Sequence, residues 1–185
     1  MNDTAHQMPA PELDTTAWLN TPAPLKLSEL KGRVVVIHAF QMLCPGCVAE
    51  GIPQASSIHR LFAEKGVQVI GLHTVFEHHE VMNLNALTAF VGEYRLPFPV
   101  AVDTPSTTGA IPLTMEKYQM RGTPTLIVID QKGHMRLNHF GRISDMQVGS
   151  LIGGLLAEGS QPSGSAANNK TDGDPGEMGS DGCLI

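Results

Sequence analysis

The sequence contains no apolar run near the roughly 18 residues that a membrane-crossing helix requires. Basic residues are few: 12 Lys and Arg stand against 18 Asp and Glu, for a net charge of −6 over 185 residues. This excludes a broad phosphate-binding face, because nucleic-acid affinity rests on basic side chains that neutralise phosphates. Three cysteines are too few to staple a secreted disulfide scaffold. The first residues, MNDTAHQMPAPELDTT, have neither the basic start nor the apolar stretch of a signal peptide, so a cytoplasmic location is expected. Aromatics are also sparse at 5%, with a single tryptophan, Trp18, expected to pack as a core anchor. What is present is an apolar fraction of 42% beside 16% charged residues, enough to bury the core of one domain.

Composition divides the chain. Residues 1–13 are proline-containing and poor in apolar positions, and read as a flexible arm. Residues 158–185 are nearly all Gly, Ser, Asn, Asp and Pro, and lack the apolar surface to offset the entropy of ordering, so they read as a disordered tail. The folded domain is expected over 14–157. Within it, Val34–Phe40 (VVVIHAF) is a continuous β-branched run of the kind buried on both faces. Cys47–Lys65 repeats apolar residues at helical spacing and stops at Gly66. Val67–Thr74 predicts a second strand and Val81–Tyr94 a further helix. Phe98–Val102 predicts a short edge strand. Thr125–Ile129 and Met135–Phe140 flank the turn Asp130-Gln131-Lys132-Gly133, predicting a hairpin, and Ser144 is placed to cap a last helix. The alternation predicts an α/β fold, a central mixed sheet with helices on both faces.

Chemistry concentrates at Cys44-Pro45-Gly46-Cys47, between the first predicted strand and its helix. A cysteine at a helix amino terminus meets unpaired N–H groups and the positive end of the dipole, which favour thiolate. A spacing of two residues lets the second cysteine displace whatever the first has bound, as a dithiol–disulfide cycle requires. A structural zinc site needs four ligands, and the only other cysteine is Cys183 near the carboxyl end. Haem attachment needs His where Val48 stands. No metal or organic cofactor is required. A purely structural pair of thiols is the remaining alternative.

The run VVVIHAFQMLCPGC, followed by GVQVIGL and YQMRGTPTLIVIDQKG, resembles the thioredoxin superfamily. Its likeness is to the redoxin, or alkyl-hydroperoxide-reductase and thiol-specific-antioxidant, domains and to bacterial membrane-linked thiol–disulfide oxidoreductases. The resemblance spans about Trp18 to Leu156 and implies a thioredoxin-like fold, with an N-terminal extension and an extra helical segment after the second core strand. It further implies that Cys44 is the exposed nucleophile, that Cys47 is the buried resolving thiol, and that Pro124 follows a cis bond. Thr123 would then offer its backbone to an extended substrate, with Pro45 and Gly46 on the same contact surface. His38, six residues before Cys44, replaces an acidic or amide side chain common in the family. It has two readings: acceptor of the Cys47 proton, or neutral core histidine. Glu50 matches a carboxylate of the oxidoreductase branch and either relays protons or complements the helix dipole. Pro53 is expected to kink its helix.

Departures from the family sharpen the expectation. Leu43 stands where a tryptophan usually precedes the first cysteine. Peroxiredoxins carry Pro and Thr seven and three residues before their cysteine, and here those positions are Ile37 and Gln41. Arg121 and Arg142 are the cations available to a thiolate, each also readable as a solvated loop residue. His73, His78 and His79 cluster without metal-ligand spacing. The resulting function is thiol–disulfide exchange on a disulfide-containing protein or a small thiol or disulfide, recycled by an unidentified thiol reductant, without nucleic acid or membrane span. The alternatives are an antioxidant thiol peroxidase and a non-enzymatic redox sensor or scaffold.

Overall fold

The structure, a computed structural model, describes residues 8–160. Strand β2 (Val34–Phe40) is buried at every position, as its β-branched run predicts. It pairs in parallel with β3 (Val67–His73) and antiparallel with β5 (Thr125–Ile129). Beyond β3 lie β4 (Val100–Asp103) and then β1 (Thr15–Leu19), and beyond β5 lies β6 (Met135–Phe140), giving the order β1-β4-β3-β2-β5-β6. The sheet is mixed and thioredoxin-like, as expected.

Alternation along β2 divides the core. Val34, Val36 and Phe40 pack with α1 (Ile52–Phe62), α2 (Leu84–Glu93) and α4 (Asp145–Ser160), through Ile52, Ala55, Ile58, Leu87, Val91, Val148 and Ile152. Val35, Ile37 and Ala39 face the other layer, where Met115 of the short helix α3 (Leu113–Lys117), Tyr118 and Met120 meet a half-buried Trp18. The expected start of the second helix moves from Val81 to Leu84, because Asn83 caps it by accepting the Ala86 N–H at 3.1 Å. Ser144 and Gln147 cap α4 reciprocally.

The segment at Phe98–Val102 is not an edge strand. β4 lies inside the sheet because β1, which has no strong periodic signal of its own, pairs along it antiparallel. Nor do residues 8–13 stand apart as an arm. Pro9 bridges His134, the Tyr118 hydroxyl donates to the Pro11 carbonyl at 2.6 Å, and the Glu12 carboxylate accepts the N–H groups of Leu27 and Ser28 at 2.8 and 2.7 Å. Residues 1–7 of the expected arm and 161–185 of the expected tail, with Cys183, lie outside the described residues. The hairpin turn forms as read: the Asp130 carboxylate accepts from Lys132 and His134, and Gly133 takes φ +91°.

At the junction of β4 and α3 the buried Asp103 carboxylate accepts from the Thr74 hydroxyl at 2.9 Å and from the N–H groups of Thr114 and Met115 at 2.8 and 3.0 Å. Asp103→Ala strands these three donors in the interior. It is expected to lower the unfolding free energy by about 3 kcal/mol, measured as a fall in the urea midpoint at constant slope.

Candidate active site

β2 ends at the mouth of the sheet, and the chain turns through Gln41–Cys44, where the Cys44 N–H donates to the Gln41 carbonyl at 3.2 Å. Cys47 opens a wide turn, Cys47–Gly51, in which the Ile52 N–H donates back to the Cys47 carbonyl, five residues earlier. Pro53 sits inside a helical run that begins at Pro45, so the N–H it lacks is one an interior turn would use, and the expected irregularity takes the form of the widened turn just before it.

The two thiols are held differently. Cys44 is half-buried, whereas Cys47 is fully buried. Their sulfurs are 2.7 Å apart, and the Cys44 sulfur also accepts the Cys47 N–H at 3.3 Å. Burial, reinforced by the Cys44 sulfur beside it, pushes the Cys47 thiol up to about 12. The pair thus consists of a reachable sulfur and a protonated one within bonding reach behind it. Across from them the Thr123–Pro124 bond is cis, and the Thr123 carbonyl lies 3.5 Å from the Cys44 sulfur. Pro45 and Gly46 are exposed, and a Cβ on Gly46 would just touch Pro124 at 3.5 Å. Sequence-expected Cys44, Thr123, Pro124, Pro45 and Gly46 therefore share one surface, with Cys47 buried beneath it.

A cleft of about 440 Å³ opens beside this surface, between the start of α1 and the turn from β6 to α4. Glu50 stands at its rim and pairs with Arg142 Nε at 2.8 Å, both side chains being largely solvated. His38, in the middle of β2, lines the inner wall and is 2% exposed. Burial alone pushes its imidazole down to about 4, so at neutral pH the ring carries no charge. Its ring stacks on Phe40 at 5.9 Å, and its Nε2 has no partner.

The other flagged residues fall elsewhere. Ile37 is buried within β2, the Gln41 amide reaches Glu77 at 3.5 Å, and Arg121 lies over the Phe140 ring at 5.5 Å. His73 is buried against Phe40, while His78 and His79 are exposed, so the three histidines form no common set. Gly51 escaped sequence reasoning, and a glycine inside the predicted helix was the available signal. Arg142 was noted as a cation for the thiolate, yet its partner is Glu50.

The family model for redoxin matches residues 5–147. The chain is 30% identical over 135 residues to the protein DipZ of Mycobacterium bovis, a match covering 71% of this chain and 18% of DipZ. It is 27% identical over 126 residues to the thiol-disulfide oxidoreductase ResA of Halalkalibacterium halodurans, covering 67% of this chain and 63% of ResA. It thus spans less than two thirds of each of these relatives. Among solved structures, a thiol-disulfide isomerase from Corynebacterium glutamicum is 51% identical, with a TM-score of 0.77 over 80% of this chain and 96% of that one. A thioredoxin-like superfamily protein is 54% identical, with a TM-score of 0.79 and the same coverage.

His38 and His73 both sit near 4 in the folded protein, below the ordinary histidine value of 6.5. Between these values the unfolded chain binds more protons, so their contribution to stability is complete above about pH 6.5 and lost as pH falls to about 4. Denaturant titrations from pH 7 to 4 are expected to show a steep loss. In His73→Phe that loss is expected to be smaller, by up to about 3 kcal/mol.

Proposed function

The chain belongs to the redoxin family and is an oxidoreductase by that kinship, and from this premise we propose that Cys44-Pro45-Gly46-Cys47 is its working thiol–disulfide centre. The observation that carries the reading is the unequal burial of two sulfurs 2.7 Å apart, facing the Thr123–Pro124 backbone. In the reducing direction, Cys44 thiolate attacks one sulfur of a substrate disulfide. The S–S bond breaks, the leaving sulfur takes a proton, and a Cys44–substrate disulfide forms. Cys47 loses its proton and attacks the Cys44 sulfur, so two electrons pass to the substrate, which leaves as a dithiol. The Cys44–Cys47 disulfide is then reduced by an external thiol. Related centres span about −270 to −120 mV, and the direction in the cell follows this protein's own potential.

Thr123 pairs its backbone with the extended substrate, and Pro124 shapes the surface that the substrate sulfur approaches. Of the two candidates for the Cys47 proton, Glu50 is in contact with solvent and His38 is sealed in, so the relay is assigned to Glu50. A peroxidase reading is weaker, because Arg142 is engaged by Glu50 and Arg121 by Phe140. A pure sensor or scaffold would not need the paired thiols to face the Thr123 backbone.

Incubation of Cys47→Ser with a disulfide peptide is expected to accumulate a mixed disulfide on Cys44, identified by mass spectrometry. Pre-reduced wild type is expected to react with hydrogen peroxide no faster than a free thiol. A rate orders of magnitude higher would make the protein a peroxidase.

Glu50→Gln is expected to slow resolution about tenfold, less than a full general base because solvent bypasses a relay. The pH–rate profile of His38→Asn is expected to keep its shape between pH 5.5 and 8. A lost or displaced limb in that variant would return the proton to His38.

A further inference from the structure

Gly51 stands in the widened turn with φ −66° and ψ −46°, right-handed helical values that any residue adopts. The backbone therefore does not call for glycine, and a glycine inside a helix weakens it relative to alanine. Space calls for it instead. A Cβ on Gly51 would lie 2.2 Å from Cε1 and 2.6 Å from Nε2 of His38, well inside contact distance. The chain at residue 51 thus rests directly on the imidazole edge.

The ring is hemmed in on its other sides. His38 is 2% exposed and lies parallel to the Phe40 ring, with centroids 5.9 Å apart. Its neighbour in register on β3 is Gly71, and the space over that glycine is filled. A Cβ there would meet Phe98 at 3.0 Å and Phe40 and Val100 at 3.3 Å. On the β5 side its neighbour is the buried Leu126. The imidazole is a spacer between the sheet and the start of the helix.

The turn that rests on this spacer carries the second thiol. The Ile52 N–H donates to the Cys47 carbonyl, closing a loop of chain that contains Gly51. Lifting Gly51 off the sheet moves Cys47 with it. Cys44 has contacts of its own ahead of the turn, through the Gln41 and Thr123 carbonyls. A change at residue 51 therefore acts on the 2.7 Å sulfur–sulfur approach from the Cys47 side.

We propose that His38 and Gly51 are positioning residues for resolution: the ring of one and the missing side chain of the other set the height of the Cys47–Gly51 turn, and so hold the Cys47 sulfur behind Cys44. The inference rests on the oxidoreductase reading of the same pair. In resolution the deprotonated Cys47 sulfur bonds to the Cys44 sulfur as the Cys44–substrate bond breaks, and the substrate sulfur leaves with the electron pair and takes up a proton. Small displacements of reacting atoms slow such a step steeply. Attack by Cys44 on the substrate does not involve Cys47 and is spared.

The test uses a peptide whose cysteine carries an aryl thiol in disulfide linkage. The aryl thiol, of lower pKa, leaves first, so its release reports attack by Cys44. Decay of the peptide–Cys44 adduct, followed by acid quench and mass spectrometry, reports resolution. Gly51→Ala is expected to attack at the wild-type rate and to resolve about ten- to a hundredfold more slowly. Adding His38→Ala gives the new methyl the space of the ring, and is expected to recover about fivefold or more of the lost rate. The same loss on Gly51→Ala is expected in a Glu50→Gln background, which separates the spacer from the proton relay. His38→Asn shortens the spacer with Gly51 in place, and is expected to resolve about threefold or more slowly with attack unchanged. It decides alone if Gly51→Ala does not fold. Wild-type resolution in Gly51→Ala or His38→Asn, equal slowing of attack and resolution, a double variant no faster than Gly51→Ala, or a loss that vanishes with Glu50→Gln would overturn the spacer and leave the oxidoreductase standing. Absence of any adduct on Cys44 in Cys47→Ser would remove the reading beneath it.

Discussion

The site depends on the burial of β2 between two apolar layers. Because Val34–Phe40 is enclosed on both faces, it cannot shift, and the residues that follow it emerge at a fixed point at the mouth of the sheet. Cys44 and Cys47 inherit that fixity through the short turn at Gln41 and the widened turn into α1. β5, paired on the other side of β2, brings Thr123 and Pro124 to the same end. Two neighbouring strands of one buried ladder thus carry Cys44 and the Thr123 backbone opposite it, and neither relies on a long loop for its position.

The same burial produces the asymmetry that the chemistry needs. Taking Cys47 out of water holds its thiol in the protonated form, while the sulfur ahead of it remains reachable. Enclosing His38 works in the opposite sense on a base, stripping it of charge and leaving it a neutral hydrogen-bonding group. Many relatives of this fold place an acid or amide beneath the second cysteine. With an uncharged ring in that position, the proton relay of the proposed mechanism falls to the solvated Glu50.

Much of this architecture was legible in the sequence, because the informative stretches are strong locally. VVVIHAF reads as a strand buried on both faces, the Cys-x-x-Cys pair reads as the entry to a helix, and Thr123-Pro124-Thr125 falls ahead of the next buried strand. The features that were not legible depend on pairing across long separations. β1 is half-buried and short, and becomes a strand by lying along β4, which in turn takes β4 off the edge. Residues 8–13 look like an arm because prolines dominate them, yet the Glu12 carboxylate and the Pro11 carbonyl find partners 15 and 107 residues away. The packing of His38 on Gly51 and the pairing of Glu50 with Arg142 are likewise contacts between elements, invisible to composition or periodicity.

The central claim is that the fold divides two neighbouring thiols into a reachable attacker and a buried resolver. Its most direct measurement is the rate of alkylation of each cysteine in the fully reduced, native protein at neutral pH, read site by site by mass spectrometry. The account predicts that Cys44 is modified first and that Cys47 stays protected until the protein is unfolded. Equal rates at the two sulfurs, or modification of Cys47 ahead of Cys44, would contradict it.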